Sequence, residues 1–190
     1  MKGTIQYCLE EAIIKNFGEK KWEQCLKLSG YPTGFSFMTM IREDIDEEKS
    51  INIFVKSAET LGISLTELFD LFGIYWCVEY APKIYGAFFA GIKSTKSAIS
   101  KLDQVHVMVT KNIPNSSPPR FNYHWINDDE LELTYISKRG LIDLFISLVK
   151  GLNKAFDDTC KITKLSQEKM IIDFGDGITQ TEFVDETSRN

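Results

Sequence analysis

The segment Tyr135-Ile136-Ser137-Lys138-Arg139 decides how the rest of the chain is interpreted. It closes the run Leu131-Glu132-Leu133-Thr134-Tyr135, whose alternation of apolar and polar residues is typical of a half-buried strand. Because strand side chains point to opposite faces in turn, every second residue from Leu131 to Arg139 is expected on one face. That face ends in a phenol, a hydroxyl and a guanidinium, spread over about 13 Å. These hydrogen-bond donors and the fixed charge of Arg139 predict an anionic partner, such as a carboxylate or a phosphate.

Composition limits the classes of protein to consider. The chain has 190 residues, 43% of them hydrophobic, which suits one domain over residues 1–190 with a substantial core. A net charge of −5 argues against nucleic-acid binding. No apolar run is long enough to span a membrane, and glutamates at positions 10 and 11 argue against a secretory leader. We therefore expect a cytoplasmic protein without a membrane partner.

Helical patterns fill the first part of the chain. The Ser64–Glu67 segment fits a capping box that opens a very apolar helix, and Pro82 is expected to interrupt that helix. A short aromatic helix around Phe88 and Phe89 should follow. The longer helices are predicted over residues 4–17, 20–28, 46–61, 65–80, 92–112 and 141–156.

The pattern changes to strands after residue 119. One hairpin is predicted from residues 120–125 and 131–135, and a second from residues 159–163 and 170–174. The acidic, glycine-rich end from Gly175 reads as a frayed tail over residues 175–190. The predicted class is α+β, with a helical N-terminal part followed by an antiparallel sheet and one inserted helix.

Histidine chemistry in this chain has to use one of two residues, His106 and His124. His106 is the one strongly polar group on an apolar helical stripe that runs from Ile99 to Ile113. Such a residue is either a core histidine bonded to a helix neighbour or an axial ligand for haem iron, and an isolated case favours the first. His124 lies between Tyr123 and Trp125, where a surface or partly buried strand residue is expected.

The spacing Tyr135-x-Ser137-x-Arg139 resembles the haem-propionate motif of the H-NOX (haem nitric oxide/oxygen binding) domains, gas sensors related to soluble guanylate cyclase. His106 and Pro119 precede the motif in the family's order and at family-like separations. The Met-Lys-Gly start with Ile5, and the segment at residues 72–76, also resemble the family. The resemblance covers nearly the whole chain.

The resemblance implies a non-covalent haem b, buried between the helical part and the sheet. His106 becomes the proximal iron ligand, and the residues of the motif hold the propionates. Ile5 and Pro119 are expected to press on the macrocycle and distort it. The four cysteines form no Cys-x-x-Cys pair, which argues against covalent attachment of the haem.

The residues expected on the distal side of the haem, opposite His106, predict which gas is bound. Dioxygen-binding members of the family carry a distal tyrosine where this chain has Leu144, a residue without a hydrogen-bond donor. The resemblance also places Trp76, Leu148 and Leu9 on this wall. Because bound dioxygen needs a donor and nitric oxide and carbon monoxide need one much less, we expect nitric oxide and carbon monoxide to bind and dioxygen to be excluded. Trp76, Tyr7 and Tyr85 remain candidate donors.

The predicted function is that of a non-enzymatic sensor. With no catalytic domain expected on the chain, its output is expected through a partner, which the resemblance gives as a histidine kinase or a diguanylate cyclase in trans. The alternative is a haem-free adaptor, or a module of the same fold that binds another small anion at Arg139. An enzyme is not expected, because no nucleophile–base pair, P-loop or metal cluster is recognisable.

Overall fold

The computed structural model of the protein describes residues 2–111 and 117–187, and it describes the backbone alone for Phe88 and Phe89. The first two thirds of the chain is helical, as the sequence predicts. A 3₁₀ turn, Phe37–Met40, and a π-helical segment, Trp76–Tyr80, accompany the α-helices. The α-helices are α1 (Gly3–Phe17), α2 (Glu19–Leu28), α3 (Glu47–Leu61), α4 (Leu65–Tyr75), α5 (Ala81–Phe89), α6 (Thr95–Thr110) and α7 (Ile142–Phe156).

Local chemistry sets several of the helix ends. The capping box at Ser64 and Glu67 is present, with each side chain bonded to the other residue's backbone N–H, so this prediction is confirmed. Helix α3 ends at Gly62, whose φ of 71° is in the left-handed region that glycine adopts without strain. Helix α6 begins at Thr95, after a second box at Ser94 and Ser97, rather than at the predicted residue 92.

Pro82 itself does not interrupt the helix, contrary to the prediction, but a kink follows three residues later at Tyr85, whose φ of −118° and ψ of 18° are not helical. The chain runs from α4 through the π-helical segment Trp76–Tyr80 directly into α5, with Pro82 in the first turn of α5. A proline ring normally clashes with the carbonyl four residues earlier, and the wider π turn relieves that clash. The same turn stacks Trp76 on Tyr80, with ring centroids 5.2 Å apart.

The sheet follows helix α6 and is mixed rather than wholly antiparallel. Its order is β1-β2-β4-β3-β5, and the β1–β2 hairpin sets Phe121 opposite Tyr135. The α+β class, with α7 inserted between β2 and β3, is confirmed. The strands are β1 (Arg120–Trp125), β2 (Glu130–Ile136), β3 (Lys161–Lys164), β4 (Lys169–Asp173) and β5 (Glu182–Asp185).

The prediction of a frayed tail from Gly175 is wrong for residues 182–185. They form β5, which pairs in parallel with β3 and closes that edge of the sheet. The Lys164 side chain, 4% exposed, lies 2.6 Å from an Asp143 carboxylate oxygen on α7 and 4.0 Å from one of Asp185. A buried ammonium needs such partners, so these carboxylates tie β3 to α7 and to β5.

Helices α4 and α7 join the two parts of the molecule at close range. A Cβ atom added at Gly73 would lie 2.3 Å from the Ser147 carbonyl oxygen, and one added at Gly151 would lie 2.2 Å from that of Gly73. The two backbones therefore touch. On either side of this crossing lie two cores, one among α1–α4 and one between α7 and the sheet.

Within the described residues, no single helix has the length and apolarity needed to cross a membrane. Helix α3 together with residues 65–87 meets that test as a pair bent by 108°, by length and composition alone.

Candidate functional site

The end of β2 forms a turn instead of continuing as a strand. Strand β2 stops at Ile136, and the Gly140 N–H donates to the Ser137 carbonyl across the turn that follows. The Arg139 N–H donates to Ser137 Oγ at 3.2 Å. The predicted extended row of three side chains is therefore wrong in its geometry. Leu131, Leu133 and Tyr135 do share one buried face, as predicted.

The turn brings the three donors of the motif together. Burial raises the pKa of Tyr135, while its hydrogen bond with Ser137 and the charge of Arg139 act in the opposite direction. The phenol therefore stays protonated at neutral pH. Tyr135 is 5% exposed and belongs to the core between α7 and the sheet.

Arg139 provides the strongest anion-binding group of the turn. Its Nη1 donates to the Ser117 carbonyl at 2.7 Å, and its Nε lies 2.8 Å from Glu47 Oε1, at the start of α3. That approach is not aligned as a hydrogen bond, and the buried Nε has no hydrogen-bond acceptor among the described residues. A carboxylate thus already lies beside a buried donor that an incoming anion would satisfy.

His106 lies partly buried on α6, with its ring oriented by the chain just before β1. Its Nδ1 is 3.1 Å from the Pro119 carbonyl oxygen. Because a carbonyl only accepts, Nδ1 carries the proton and Nε2 keeps a free lone pair. Burial lowers the pKa of His106, against the opposing effects of the Pro119 carbonyl and Asp103, so the imidazole is neutral at neutral pH. A neutral ring bonded through one nitrogen is the state in which histidine ligates a metal through the other.

Two aromatic residues that the sequence analysis did not single out connect His106 to the motif. The Phe121 ring lies 5.5 Å from the His106 ring and 5.9 Å from the Tyr135 ring, between centroids. The Phe145 ring lies 4.8 Å from that of Phe121 and is stacked on Tyr135 at 5.8 Å. The cross-strand register of the predicted hairpin, which pairs Phe121 with Tyr135, is the signal that would have found Phe121.

The predicted distal residues lie where the two cores meet. Trp76 and Leu148 pack against both cores, Ile5 packs against the helical core, and Leu144 is a member of it, 9% exposed. The structure thus places an apolar wall at the junction. Of the residues predicted as relevant to the site, Ile113 lies outside the described residues, and His124 is exposed in β1.

The hydroxyl groups near this wall are bonded to the protein. Thr4 Oγ1 and Tyr80 Oη are 2.9 Å apart, and Tyr85 also shares a hydrogen bond with Thr4. The Tyr7 hydroxyl donates to Glu11 at 3.1 Å. Tyr7, one of the candidate donors from the sequence, is therefore engaged.

These features define a class of site: a single unprotonated imidazole nitrogen, an apolar wall, and clustered anion-binding donors at one edge. This combination suits a flat apolar ligand that carries a metal at its centre and carboxylates at its rim. The observation that tests the fit is the buried Nε of Arg139, which lies 2.8 Å from Glu47 Oε1 but has no aligned hydrogen-bond acceptor among the described residues. The residues present therefore fit a haem.

Comparison with known proteins gives the family. The family model described as Haem-NO-binding matches residues 2–164. Soluble guanylate cyclase gcy-37 of Caenorhabditis elegans is 21% identical over 174 residues, which are 89% of this chain and 24% of that protein. The chain thus spans about a quarter of the length of this relative. The chain belongs to the Haem-NO-binding (H-NOX) family.

Solved H-NOX structures share the fold along nearly the whole chain. A variant of the T. Tengcongensis H-NOX domain superposes with a TM-score of 0.81 and 26% identity, covering 93% of this chain and 98% of that one. A Cs H-NOX mutant carrying 4-cyano-L-phenylalanine superposes with a TM-score of 0.80 and 25% identity, covering 95% of this chain and 99% of that one. An oxygen-binding H-NOX domain in its oxygen complex superposes with a TM-score of 0.78 and 25% identity, covering 96% of this chain and 99% of that one.

Proposed function

We propose that this protein is a cytoplasmic gas sensor that binds a non-covalent haem b, takes nitric oxide and carbon monoxide at ferrous iron, and excludes dioxygen. The observation that carries the proposal is the orientation of His106, whose Nδ1–H is held by the Pro119 carbonyl so that Nε2 can ligate iron. Membership of the Haem-NO-binding family supports the cofactor. When bound, ferrous haem supplies the iron to which the gas binds.

Each predicted residue has a role in this function. His106 is the proximal ligand, and Tyr135, Ser137 and Arg139 hold the propionates. Arg139 contributes most, because its bonds to a carboxylate are charge-assisted and worth roughly 1.5–3 kcal/mol each. To do so, Arg139 exchanges Glu47, which is half exposed, for a propionate.

The walls contribute shape rather than hydrogen bonds. Ile5 and Pro119 press on the macrocycle, while Trp76, Leu144 and Leu148 form the apolar distal surface.

Selectivity follows from the distal surface. Leu144 has no donor, and the Tyr7 hydroxyl already donates to Glu11. Redirecting that hydroxyl to a gas molecule would leave its present partner unsatisfied, which costs about 1–3 kcal/mol when the group is buried. The oxygen-binding relative shows that the fold accommodates dioxygen. We therefore attribute exclusion to these side chains.

The proposed output is a change in a separate partner protein, a histidine kinase or a diguanylate cyclase. The domain itself acts as a sensor and not as an enzyme. The guanylate cyclase relative, of which this chain matches about a quarter, supports a role in which the domain regulates a catalytic unit.

The haem-free adaptor is the second candidate, because Glu47 already supplies a carboxylate to Arg139 from within the chain. The absorption spectrum of purified protein decides between them. A strong Soret band, present on isolation or after added haem, supports the sensor, and a chain that stays colourless with added haem supports the adaptor.

The His106→Gly variant then tests the ligand. We expect it to lose the five-coordinate ferrous spectrum and to regain it with added imidazole, because the imidazole replaces the missing side chain. The control is His124→Gly, which should leave the spectrum unchanged. The reverse pattern would assign the iron to His124.

A further inference from the structure

Asp103, one helical turn before His106, bonds helix α6 to the beginning of β1. Its two carboxylate oxygens accept from Arg120, one from Nε at 2.7 Å and the other from Nη2 at 2.7 Å. Oδ1 also accepts from the Phe121 N–H at 3.1 Å. The backbone N–H of Asp103 donates to the Tyr123 hydroxyl at 3.2 Å. A single helical residue thus has three partners on one strand.

The segment that binds Asp103 also orients the His106 imidazole. Pro119 accepts from its Nδ1, Arg120 and Phe121 follow in the chain, and the Phe121 ring packs against the His106 ring. A shift of this turn of α6 along β1 has to break the Asp103 contacts together with the bond to Pro119. The contacts of Asp103 with β1 therefore fix the imidazole more tightly than the Pro119 bond alone would.

We propose that the Asp103–Arg120 pair is a latch that positions His106 and slows its release from the iron when nitric oxide binds. The inference rests on the proposed function and deepens it. Both residues are positioning residues, since they act through His106 and the strand.

The exposure of the pair gives the size of the effect. The Arg120 side chain is 56% exposed and that of Asp103 is 22% exposed, so water and salt weaken their attraction. Exposed pairs contribute little to global stability, so disrupting this one should leave the fold intact. Its removal should speed the release of His106 by roughly two- to fivefold, the range that corresponds to an exposed ion pair.

The experiment compares Arg120→Gln and Asp103→Asn with a matched control. Lys96→Gln removes another ion pair from the same helix, between Lys96 and Asp129, with Nζ and Oδ1 at 2.8 Å. For each protein, stopped-flow absorbance follows the loss of His106 coordination after ferrous haem protein is mixed with nitric oxide. Resonance Raman of the unliganded ferrous form reports the stretching frequency of the bond from iron to His106.

We expect faster release and a lowered stretching frequency in both latch variants. The double variant should match the single ones, because both substitutions break the same ion pair between Asp103 and Arg120. Lys96→Gln should match the wild type. Unchanged release in the latch variants, or equal acceleration in the control, would overturn the proposal.

A second measurement needs no haem. In haem-free protein with ¹⁵N-labelled histidine, the chain's two imidazoles are told apart with a His124→Gln variant. His106 should show the Nδ1–H tautomer in the wild type and a mixture of tautomers in the latch variants. An unchanged imidazole spectrum overturns the latch. A wild type that stays colourless with haem overturns the sensor function and with it the slowed release, and the imidazole spectrum then decides whether the pair positions His106.

Discussion

At the scale of single residues, the turn after Tyr135 collects its donors at one point. Ser137 Oγ accepts from the Arg139 backbone, which leaves the guanidinium free to reach Ser117 and Glu47. The hydroxyl thus shapes the turn, and the guanidinium supplies the charge. This division of roles predicts that the two residues differ in what their loss does to the cofactor.

We expect Arg139→Ala to speed haem loss more than Ser137→Ala does. Arg139 forms charge-assisted bonds with a propionate, whereas Ser137 offers one neutral hydroxyl. The difference should be about 1 kcal/mol or more, or at least fivefold in the rate of haem transfer to an acceptor protein. Glu47→Gln is the control, and it should slow haem loss or leave it unchanged by removing the competing carboxylate. Equal rates for the Arg139 and Ser137 variants would show that the turn does not hold propionates.

Leu144 carries the prediction on gas selectivity. Ferrous wild-type protein should form no lasting complex with dioxygen in air, while it binds nitric oxide and carbon monoxide. Leu144→Tyr should create such a complex, because its phenol supplies the donor that partly negative dioxygen requires. Absorption spectra in air follow both proteins, and Leu144→Phe controls for ring size. A stable oxy spectrum in the wild type would mean that another side chain, such as Trp76, donates.

The residues of the site differ in how well they could be predicted from the sequence. Tyr135, Ser137, Arg139 and His106 stand out because their types and spacing are unusual for a buried strand or helix face. Phe121 and Phe145 do not, since an apolar aromatic residue in a core-forming element is ordinary. The position of Phe121 in the site depends on the pairing of β1 with β2, and that of Phe145 on the packing of α7 against the sheet. The partner of Arg139, Glu47, is 92 residues away in sequence and has no local signal.

At the scale of elements, the contact between α4 and α7 has the strictest requirement. Gly73→Ala and Gly151→Ala each place a methyl group against a backbone carbonyl oxygen, and only a shift of helix α4 or α7 could make room for it. Each should lower the free energy of unfolding by about 1–3 kcal/mol, the usual cost of overpacking. Gly86→Ala is the control, because a methyl group there meets nothing within 4 Å and α5 should gain or keep stability. Urea unfolding measures all three, and equal midpoints would contradict the close contact.

Helix positions were predictable because caps and periodicity are local. The predicted helix at residues 4–17 is observed as Gly3–Phe17, and that at residues 46–61 as Glu47–Leu61. Two elements depended on contacts that no local pattern reveals. The π turn before Pro82 reflects how α4 continues into α5. Strand β5 forms because β3 has a free edge with which the short segment Glu182–Asp185 can pair.

At the scale of the molecule, the proposed iron ligand lies on a helix that is firmly packed at one end. Ala98 and Ile99, in the N-terminal half of α6, are buried. From Ser100 to Lys111, all described, no side chain is fully buried, and Val107 and Met108 are 45% and 48% exposed. The part of α6 that carries His106 is therefore held by the packing of the partly buried Leu102 against the sheet-side core, by the bonds of Asp103 to β1 and by that of His106 to Pro119.

This arrangement predicts where a bound gas changes the protein. Nitric oxide weakens the bond opposite to it on the iron, so His106 should be released, and its half of α6 loses the anchor between haem and sheet. Packed elements shift between discrete arrangements rather than deforming continuously, so two states are expected, and a partner that binds one better responds to the gas. The change should be concentrated in residues 100–118 and should spare the α4–α7 contact.

Hydrogen exchange with mass spectrometry measures this directly. Ferrous protein with nitric oxide should lose protection over the C-terminal half of α6 relative to ferrous protein alone, while peptides from α4 and α7 keep theirs. Carbon monoxide is the control, because it occupies the same iron while leaving His106 bound, so its exchange pattern should match that of the unliganded protein. The stably packed residues 98 and 99 serve as an internal reference on the same helix. If protection over residues 100–118 is identical in all three states while a partner still responds to nitric oxide, the signal travels by a route other than release of His106.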